Sequence, residues 1–400
     1  MKKIAIWIIA SLFVVLFSGI LPISNQPVWY AQYLALLFVV LGGISLFIWN
    51  FNKWLSLLLF SCLFSTFFVA SLSPRSIFLL FNFNLICLAS YLISQLEGKY
   101  RIWIKRAIFI LFLIQLLWLL MQFFNIPLHI KIGGQTIDAT FHSLLYPDKK
   151  IMVGLSGSHD QLGTFFALTI PVIYAISPIF TILSIAGLYI SKSSFAFVSG
   201  VVALLFLLFF TNRKHFKVVS IMCLISSLIF FTSIDKLRMT DFSTRIKVWE
   251  YALKSLHQGK ITIEVNGKTR DIKCNPLLGF GFGNFQSIFP FVPQSQGKYF
   301  NFPEEKFTHA HNDFIENHFE TGYLGSGILL LLIGMFFVSF YKLRKSKEAV
   351  LYASCIVAYL FNATGNFLSQ IAISGMFLCI FYGLFEGIRS ELDGKITVNR

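Results

Sequence analysis

A short polar segment carries the residues of this chain that are best suited to chemistry. Residues 309–325 read HAHNDFIENHFETGYLG and combine three histidines, three carboxylates, two asparagines and two glycines. Imidazole and carboxylate groups can bind a metal ion, and a neutral imidazole can also take a proton from an attacking hydroxyl group. The segment is therefore a candidate for a metal site or for a site of proton transfer.

The spacing of the histidines disfavours the metal site. In a helix, His309 and His311 point about 200° apart, and His311 and His318 lie two turns apart, roughly 10 Å. Neither pair can hold a zinc ion without further ligands, and the segment lacks the i, i+4 pair of an HExxH site. We therefore expect no metal, and proton transfer by a neutral imidazole such as that of His311 is the other chemistry that the segment allows. A histidine that only packs at the entrance of the next helix remains the alternative.

The segment belongs to a chain with the composition of a membrane protein. Of its 400 residues, 56% are hydrophobic and 17% aromatic, whereas only 13% are charged. This composition excludes an ordinary water-soluble domain, and apolar runs of about 18 residues are long enough to cross a bilayer as helices. The net charge of +15 comes from basic residues in the short connections between these runs, so we expect no nucleic-acid partner.

The apolar runs predict an all-α polytopic membrane protein with about twelve transmembrane helices. The positive-inside rule places the basic connections and both termini in the cytoplasm. The chain then divides into transmembrane helices 1–9 (residues 1–234), one large extracytoplasmic loop (235–322) and transmembrane helices 10–12 with a cytoplasmic tail (323–400). Two short helices within 159–191 could instead form a re-entrant pair. The predicted spans are 4–22, 29–49, 54–72, 77–95, 104–124, 159–176, 178–191, 194–211, 217–234, 323–341, 349–365 and 368–387.

Three elements are predicted inside the large loop. The stretch STRIKVWEYALKSL predicts an amphipathic helix, whose apolar stripe lies on the membrane surface or on neighbouring helices. The stretch ITIEVNGKTRDIKC alternates apolar and polar residues around Asn-Gly, which predicts a small hairpin. The stretch NPLLGFGFGNF lacks the GxGxxG spacing of a nucleotide-binding loop and predicts a tight, aromatic-lined loop. The stripe of the helix consists of Ile246, Trp249, Leu253 and Leu256.

Arg245 is a candidate site residue in the predicted amphipathic helix. With Ser243 as the N-cap, Arg245 falls in the first turn, where a cation opposes the helix dipole. The free N–H groups of the same turn can bind an anion, and a residue that breaks a local rule is a site candidate. Snorkelling of Arg245 to the interface or an ion pair with Asp241 would also explain the position.

Several motifs resemble a known family. His311 and Asn312 are followed, after nine residues, by Gly322-Tyr323-Leu324-Gly325, which resembles the H-[NSQ]-x9-G-x-x-G pattern of the O-antigen ligase and O-antigen polymerase superfamily. That superfamily includes protein O-oligosaccharyltransferases. The stretches STRIKVWEYALKSL, NPLLGFGFGNF and GLSGSHDQLGTFFALTIPVI resemble further segments of the family. The similarity covers roughly residues 150–390, whereas the first third agrees only in being membrane helices.

The resemblance implies a GT-C-like, metal-independent glycosyltransferase without a cofactor, at the outer face of the bacterial cytoplasmic (inner) membrane. The family transfers a glycan from an undecaprenyl diphosphate carrier to an acceptor hydroxyl. Mapped onto this chain, the resemblance makes His311 the general base, and Arg245 a ligand of the donor diphosphate, for which a guanidinium fork is suited. The supporting residues of the motifs are Trp249, Asn312, Glu320, Gly322 and Gly325.

The sequence departs from the family at the second diphosphate ligand. The family supplies a second arginine from a Ser-Arg sequence at the outer end of a mid-chain helix, where this chain reads ISKSSFAF. Lys192 is the nearest cation, and it keeps the charge but loses the bidentate geometry of arginine. A lysine that snorkels to the interface is the alternative.

The resemblance leaves the acceptor open. We expect an O-antigen ligase, which acts in lipopolysaccharide biosynthesis with a lipid A-core sugar as acceptor. A polymerase that extends the glycan itself and a transferase to protein hydroxyls share the same motif. A transporter or flippase for a lipid-linked glycan is the alternative of a different class, although the sequence shows neither clear internal repeats nor ionisable candidates at mid-bilayer. Trp249, Phe280, Phe282 and Phe285 could cover sugar faces or isoprene units, or could simply pack.

Overall fold

The computed structural model describes most of the chain after residue 88. The described stretches are 89–124, 129–132, 135–138, 159–232, 236–265, 267–292, 309–366 and 372–398, with residues 6, 9, 87, 126 and 368. The predicted spans 29–49 and 54–72 lie outside these residues, as do nearly all of span 4–22 and most of span 77–95.

The described residues are mostly helical. The helices are α1 (Gly98–Phe123), α2 (His159–Ile176), α3 (Pro178–Ser191), α4 (Ser194–Thr211), α5 (Arg213–Thr232), α6 (Lys236–Gln258), α7 (Phe285–Ile288), α8 (Asp313–Leu343), α9 (Lys347–Ala363) and α10 (Ala372–Val398). The strands are β1 (His129–Ile132), β2 (Gln135–Asp138), β3 (Lys260–Val265) and β4 (Lys268–Lys273). They pair as two antiparallel hairpins, β1–β2 and β3–β4.

Among the described residues, three helices, α1, α4 and α8, are long and apolar enough to cross a membrane. The described part of the chain therefore supports a helical membrane protein, while the count of twelve spans and their sidedness stay predictions. Large aliphatic side chains are exposed on several helices, and such surfaces are stable against lipid tails but not against water. Examples are Leu117 on α1, Ile179 on α3, Leu224 on α5 and Leu330 on α8.

Two helices lie at the centre of the bundle. Every residue of α2 from Leu162 to Ile173 is buried, as is every residue of α9 from Ala349 to Tyr359. A helix that is apolar and buried on all sides must be surrounded by other helices. Small residues permit this close packing, since a Cβ at Gly187 on α3 would lie 2.6 Å from the ring of Phe166 on α2. These two central helices therefore form a rigid support for the turns at their ends.

A second, smaller apolar cluster is formed by residues between 248 and 319, which precede α9 and α10 in the sequence. It joins α6, the β3–β4 hairpin, α7 and the start of α8. The predicted hairpin is confirmed: Val265 pairs with Lys268 across the two-residue Asn-Gly turn, where Gly267 has a φ of 72°. The cluster consists of Val248, Ala252, Leu256, Ile261, Ile263, Phe280, Phe285, Ile288, Phe289, Ala310 and Phe319.

Two predictions for α6 are wrong. The helix begins at Lys236, so Ser243 lies inside it and Arg245 is in its third turn. The intervening residues KLRMTDF contain no helix breaker and include strong helix formers, which outweigh the capping signal of Ser243. The free N–H groups of the helix start are therefore remote from Arg245.

The apolar stripe of α6 is also divided. Leu256 is buried and Trp249 packs against the second cluster, whereas Ile246 and Leu253 are exposed. At about 100° per residue, the four positions span roughly 80° of the helix surface. Only one edge of the stripe is covered by the cluster.

Candidate functional site

α8 is interrupted where the GYLG motif begins. Gly322 has a φ of 65° and a ψ of −162°, which is not helical, so the backbone groups around it cannot form the regular bonds of the helix. The loop NPLLGFGFGNF satisfies them instead. Four backbone hydrogen bonds join Tyr323 N–H to Pro276 O (3.1 Å), Leu324 N–H to Leu277 O (3.0 Å), Phe280 N–H to Phe319 O (2.9 Å) and Gly281 N–H to Glu320 O (2.8 Å).

Glycine is required on both sides of this contact. A Cβ at Gly279 would lie 2.5 Å from Glu320 O and from Gly322 N, and a Cβ at Gly322 would lie 2.5 Å from Gly279 N. Real Cβ contacts are not this short, and the opposing atoms belong to the backbone and cannot rotate away. Gly279 and Gly322 both have positive φ as well. Gly322 thus acts through close backbone packing, and Gly325 is buried one turn later.

Glu320 and the loop aromatics stabilise the same contact. The buried Glu320 carboxylate accepts a hydrogen bond from Phe285 N–H at 3.0 Å, at the start of α7. Phe280 stacks on Phe319 with ring centroids 4.4 Å apart. Phe280 and Phe285 are buried, so these two rings pack in the cluster, whereas Phe282 is partly exposed.

The residues before α8 are held from three directions. Trp249 Nε1 donates a hydrogen bond to Ala310 O at 2.6 Å, and Ala310 N–H donates to Glu316 Oε2 at 2.9 Å. Asn312 is the N-cap of α8 and accepts hydrogen bonds from Phe314 N–H (3.0 Å) and Ile315 N–H (3.1 Å). His311 lies between these two fixed residues. Trp249 and Asn312, predicted as supporting residues, therefore position the backbone of His311.

Replacement of Asn312 should test this positioning. Asn312→Ala should destabilise the protein by about 1 kcal/mol through loss of the cap, whereas Asn312→Ser should retain most of the stability. The measurement is thermal stability of the purified protein in detergent, followed by size-exclusion chromatography. Equal stability of Asn312→Ala and the wild type would contradict the role of Asn312 as a cap.

His311 and Lys192 share an uncommon backbone conformation. Within the described stretches, they are the two non-glycine residues with positive φ, at 51° and 54°. The left-handed region costs a residue with a side chain roughly 1–2 kcal/mol. Such residues persist where their surroundings determine them, and they cluster at functional sites. Both residues were predicted as site residues on other grounds.

The turn that contains Lys192 packs against the start of α2. Ser193 Oγ donates a hydrogen bond to Asp160 Oδ1 at 2.6 Å. Gly163 permits the approach, because a Cβ there would lie 2.7 Å from Ser191 Oγ. Lys192 itself is exposed at the end of α3.

Arg245 contacts a different turn of the bundle. Its Nη1 donates a hydrogen bond to Gly365 O at 2.8 Å, in the turn that follows α9. The same turn packs against α4, since a Cβ at Gly365 would clash with the ring of Phe195. Two buried hydrogen bonds fix this end of α9: Asn362 Nδ2 to Thr164 Oγ1 (2.8 Å) and Asn366 Nδ2 to Asn362 Oδ1 (2.6 Å).

Asp160, in the first turn of α2, lies near several of the predicted site residues. Its partly buried carboxylate lies 3.5 Å from His159 Nε2 and accepts the hydrogen bond of Ser193. The carboxylate also lies within electrostatic range of Arg245 and His311. The structure thus brings Arg245, His311 and the turn of Lys192 to the start of α2. Sequence analysis missed Asp160, although an ionisable residue directly before an apolar run was the available signal.

The site lies where several helices begin. α4 starts at Ser194, two residues after Lys192, and α8 starts at Asp313, two residues after His311. Both helices are candidate membrane spans, and the site lies at the N-terminal end of each of them. A guanidinium and an imidazole there can bind an anion and accept a proton. Comparison of the sequence with protein-family models and with curated proteins found no match.

Proposed function

We propose that this protein transfers a glycan from an undecaprenyl diphosphate carrier to an acceptor hydroxyl at the outer face of a bacterial cytoplasmic membrane. The observation that carries the proposal is the proximity of Arg245 and His311: Trp249, one turn after Arg245 on α6, donates a hydrogen bond to Ala310 O, next to His311. Arg245 and His311 are 66 positions apart in the sequence and are the two residues to which the family resemblance assigns the donor diphosphate and the acceptor.

The reaction is a displacement at the anomeric carbon of the donor sugar. His311 takes the proton of the acceptor hydroxyl, and the acceptor oxygen forms a bond to the anomeric carbon. The bond between that carbon and the diphosphate oxygen breaks, and its electron pair leaves with the diphosphate. The products are the glycosylated acceptor and undecaprenyl diphosphate.

Arg245 is suited to the leaving group. Its bond from Nη1 to Gly365 O orients the guanidinium, which has five N–H donors in a planar fork. A guanidinium pairs well with phosphate oxygens, and positive charge placed in advance stabilises the negative charge that the diphosphate gains. The exposed Lys192, on the neighbouring turn, carries a flexible ammonium group that can supply a second cation.

The position of the site suits a lipid-linked donor. The diphosphate of such a donor lies at the membrane surface, with the polyprenyl chain in the bilayer. The candidate spans α4 and α8 both begin at the site, so a donor anchored beside them would present its diphosphate near Arg245. We favour the ligase reaction, with a lipid A-core acceptor. Polymerisation of the glycan and transfer to a protein hydroxyl are the alternatives within the same reaction class.

Reconstitution tests the proposal. The purified protein in liposomes receives an undecaprenyl-diphosphate-linked oligosaccharide and, in turn, lipid A-core, the glycan itself and a serine-containing protein. We expect a glycosylated product with one acceptor class. Arg245→Gln should lower the rate by about 100-fold, since removal of one preorganised donor has an effect of that order. Arg245→Lys should fall between Arg245→Gln and the wild type.

A basic residue elsewhere on α6 provides the matched control. Lys254 is exposed, and Lys254→Gln makes the same change of charge, so this variant should retain wild-type activity. Failure to form product with all three acceptors, together with movement of the donor across the bilayer, would instead identify a flippase.

A further inference from the structure

We propose that His309 and Glu316 are positioning residues, whose buried side chains hold the turn before α8 in the conformation that presents His311 to the acceptor. The inference rests on the proposed function for the role of His311. In this role the two side chains act on the backbone of His311 and not on the substrates. Their hold on the turn can be measured without any transfer reaction.

Glu316 contacts the chain on both sides of His311. Its backbone N–H donates a hydrogen bond to Asn312 O at 2.9 Å, which is the first helical bond of α8. Its carboxylate oxygen Oε2 accepts a hydrogen bond from Ala310 N–H, also at 2.9 Å. Glu316 is therefore bonded to the residue before His311 and to the residue after it. These two bonds restrain the backbone of His311 from both sides.

His309 orients the carboxylate of Glu316. Its Nδ1 lies 3.2 Å from Glu316 Oε1, and its Nε2 contacts Gln286 Nε2 on α7. An amide nitrogen only donates hydrogen bonds, so His309 Nε2 is the acceptor in this contact. In the neutral ring the proton is then on Nδ1, and His309 donates it to Glu316. Each oxygen of the carboxylate thus has a donor, which a buried carboxylate requires.

Three helices converge on residues 309 and 310. His309 and Glu316 are both buried, and Ala310 packs in the second apolar cluster. Ala310 is bonded through its N–H to Glu316 of α8 and through its carbonyl oxygen to Trp249 of α6, while α7 contacts His309. The turn is therefore fixed relative to α6, the helix that carries Arg245.

The backbone of His311 needs such support. Its φ of 51° lies in the left-handed region, which is unfavourable for a residue with a side chain. A backbone of this kind persists only where its surroundings determine it. Loss of the bonds at Ala310 should let the backbone of His311 relax to a common conformation, which would turn the imidazole away from its place beside α6.

Two amide substitutions at His309 separate the bond to Glu316 from simple packing. The amide nitrogen of asparagine lies close to the position of Nδ1, so His309→Asn can still donate to Glu316. Glutamine is longer and places its amide near the position of Nε2, so His309→Gln loses this bond but keeps a buried polar group. Glu316→Ala removes both acceptor oxygens. Glu250→Ala, at an exposed carboxylate of α6, is the matched control.

The first measurement is hydrogen–deuterium exchange of the Ala310 amide in liposomes, by mass spectrometry with fragmentation that resolves single residues. The exchange rate should rise about tenfold in Glu316→Ala, where the bond is lost, and about threefold in His309→Gln, where the carboxylate is no longer oriented. His309→Asn and Glu250→Ala should exchange at the wild-type rate.

The second measurement is glycan transfer, with kcat and the KM for the lipid-linked donor determined separately. In His309→Gln and Glu316→Ala, kcat should fall by about 100-fold, since a small displacement of a catalytic group has an effect of this order. The KM for the donor should stay near the wild-type value, because Arg245 binds the diphosphate from α6. His309→Asn should keep kcat within a few-fold of the wild type.

Equal effects of His309→Asn and His309→Gln would overturn the inference, since the bond to Glu316 would then have no influence. So would wild-type exchange and kcat in Glu316→Ala, or a donor KM that rises as kcat falls, which would indicate a general loss of structure. Should Glu316→Ala not fold, the two His309 variants decide. If the wild type transfers no glycan to any acceptor, the proposed function fails, and the exchange of Ala310 alone decides whether the two side chains hold the turn.

Discussion

Replacement of His311 with alanine should abolish glycan transfer while the protein remains folded in the membrane. A general base contributes about 10²–10⁴-fold to the rate of a reaction of this kind, so the turnover should fall by that factor. The alanine side chain cannot accept the proton of the acceptor hydroxyl, whereas Arg245 and the turn of Lys192 remain to bind the diphosphate. The measurement is product formation in liposomes, with quantification of the remaining lipid-linked donor. The donor should persist unconsumed.

The histidine-rich segment supplies its own control for this experiment. His318 lies seven residues further along and contacts Ser326 Oγ at 2.8 Å and the ring of Tyr323, close to the break at Gly322. His318→Ala removes the same type of side chain from the same segment and should retain activity within a few-fold. Equal loss of activity in both variants would assign the effect to the fold of the segment and not to a base at His311.

Replacement of Gly322 with alanine should have the largest effect on stability. The added Cβ would clash with Pro276 O and would lie 2.5 Å from Gly279 N, and the backbone has a φ of 65°. Overpacking costs about 1–3 kcal/mol and the left-handed backbone adds roughly 1–2 kcal/mol, so we expect a loss of about 2–5 kcal/mol. The loop would separate from α8, and the helix start that follows His311 would change direction. Transfer should be lost with the stability.

Two other glycines of α8 test whether this effect is local. A Cβ at Gly327 or Gly334 would meet nothing within 4 Å, so alanine is accommodated at both positions. Because alanine favours a helix over glycine, these variants should be as stable as the wild type or slightly more stable. The measurement is the temperature at which each variant loses its monodisperse peak in size-exclusion chromatography. Gly322→Ala with the stability of Gly327→Ala would contradict the packing of the loop on the break.

Local patterns in the sequence predict the elements well. The boundaries predicted for 178–191 and 194–211 coincide with α3 and α4, because the apolar runs are bounded by Pro178, Lys192 and polar residues. The β3–β4 hairpin follows from an Asn-Gly turn between alternating strands, and this pattern is local as well. The start of α6 was predicted wrongly, because a capping residue competed with a longer run of helix formers.

The assembly of the candidate site depends on contacts that no local pattern contains. Arg245 donates a hydrogen bond to the backbone oxygen of Gly365, a residue 120 positions away. Because every residue has a backbone oxygen, the sequence does not indicate which one accepts this bond. Asp160 lies in a segment that resembles the family and begins an apolar run, but no local pattern assigns a role to its side chain. Its relation to Ser193 depends on how α2 packs against the α3–α4 turn. Side-chain type could suggest Arg245 and His311 as candidates, but it could not show that both come within electrostatic range of Asp160.

By itself, the sequence determined the helical membrane character of this protein, the extent of its apolar helices, the hairpin and the identity of the residues that can accept a proton or bind an anion. These properties depend on amino-acid composition and on patterns among residues that are close together in the sequence. Only the tertiary structure decided that the loop glycines pack on the break in α8, that Trp249 and Asn312 hold the backbone of His311, and that Arg245 and His311 lie within electrostatic range of Asp160. These contacts join residues that are far apart in the chain. Their geometry is set by the close packing of buried helices and by the close backbone contacts that glycine permits.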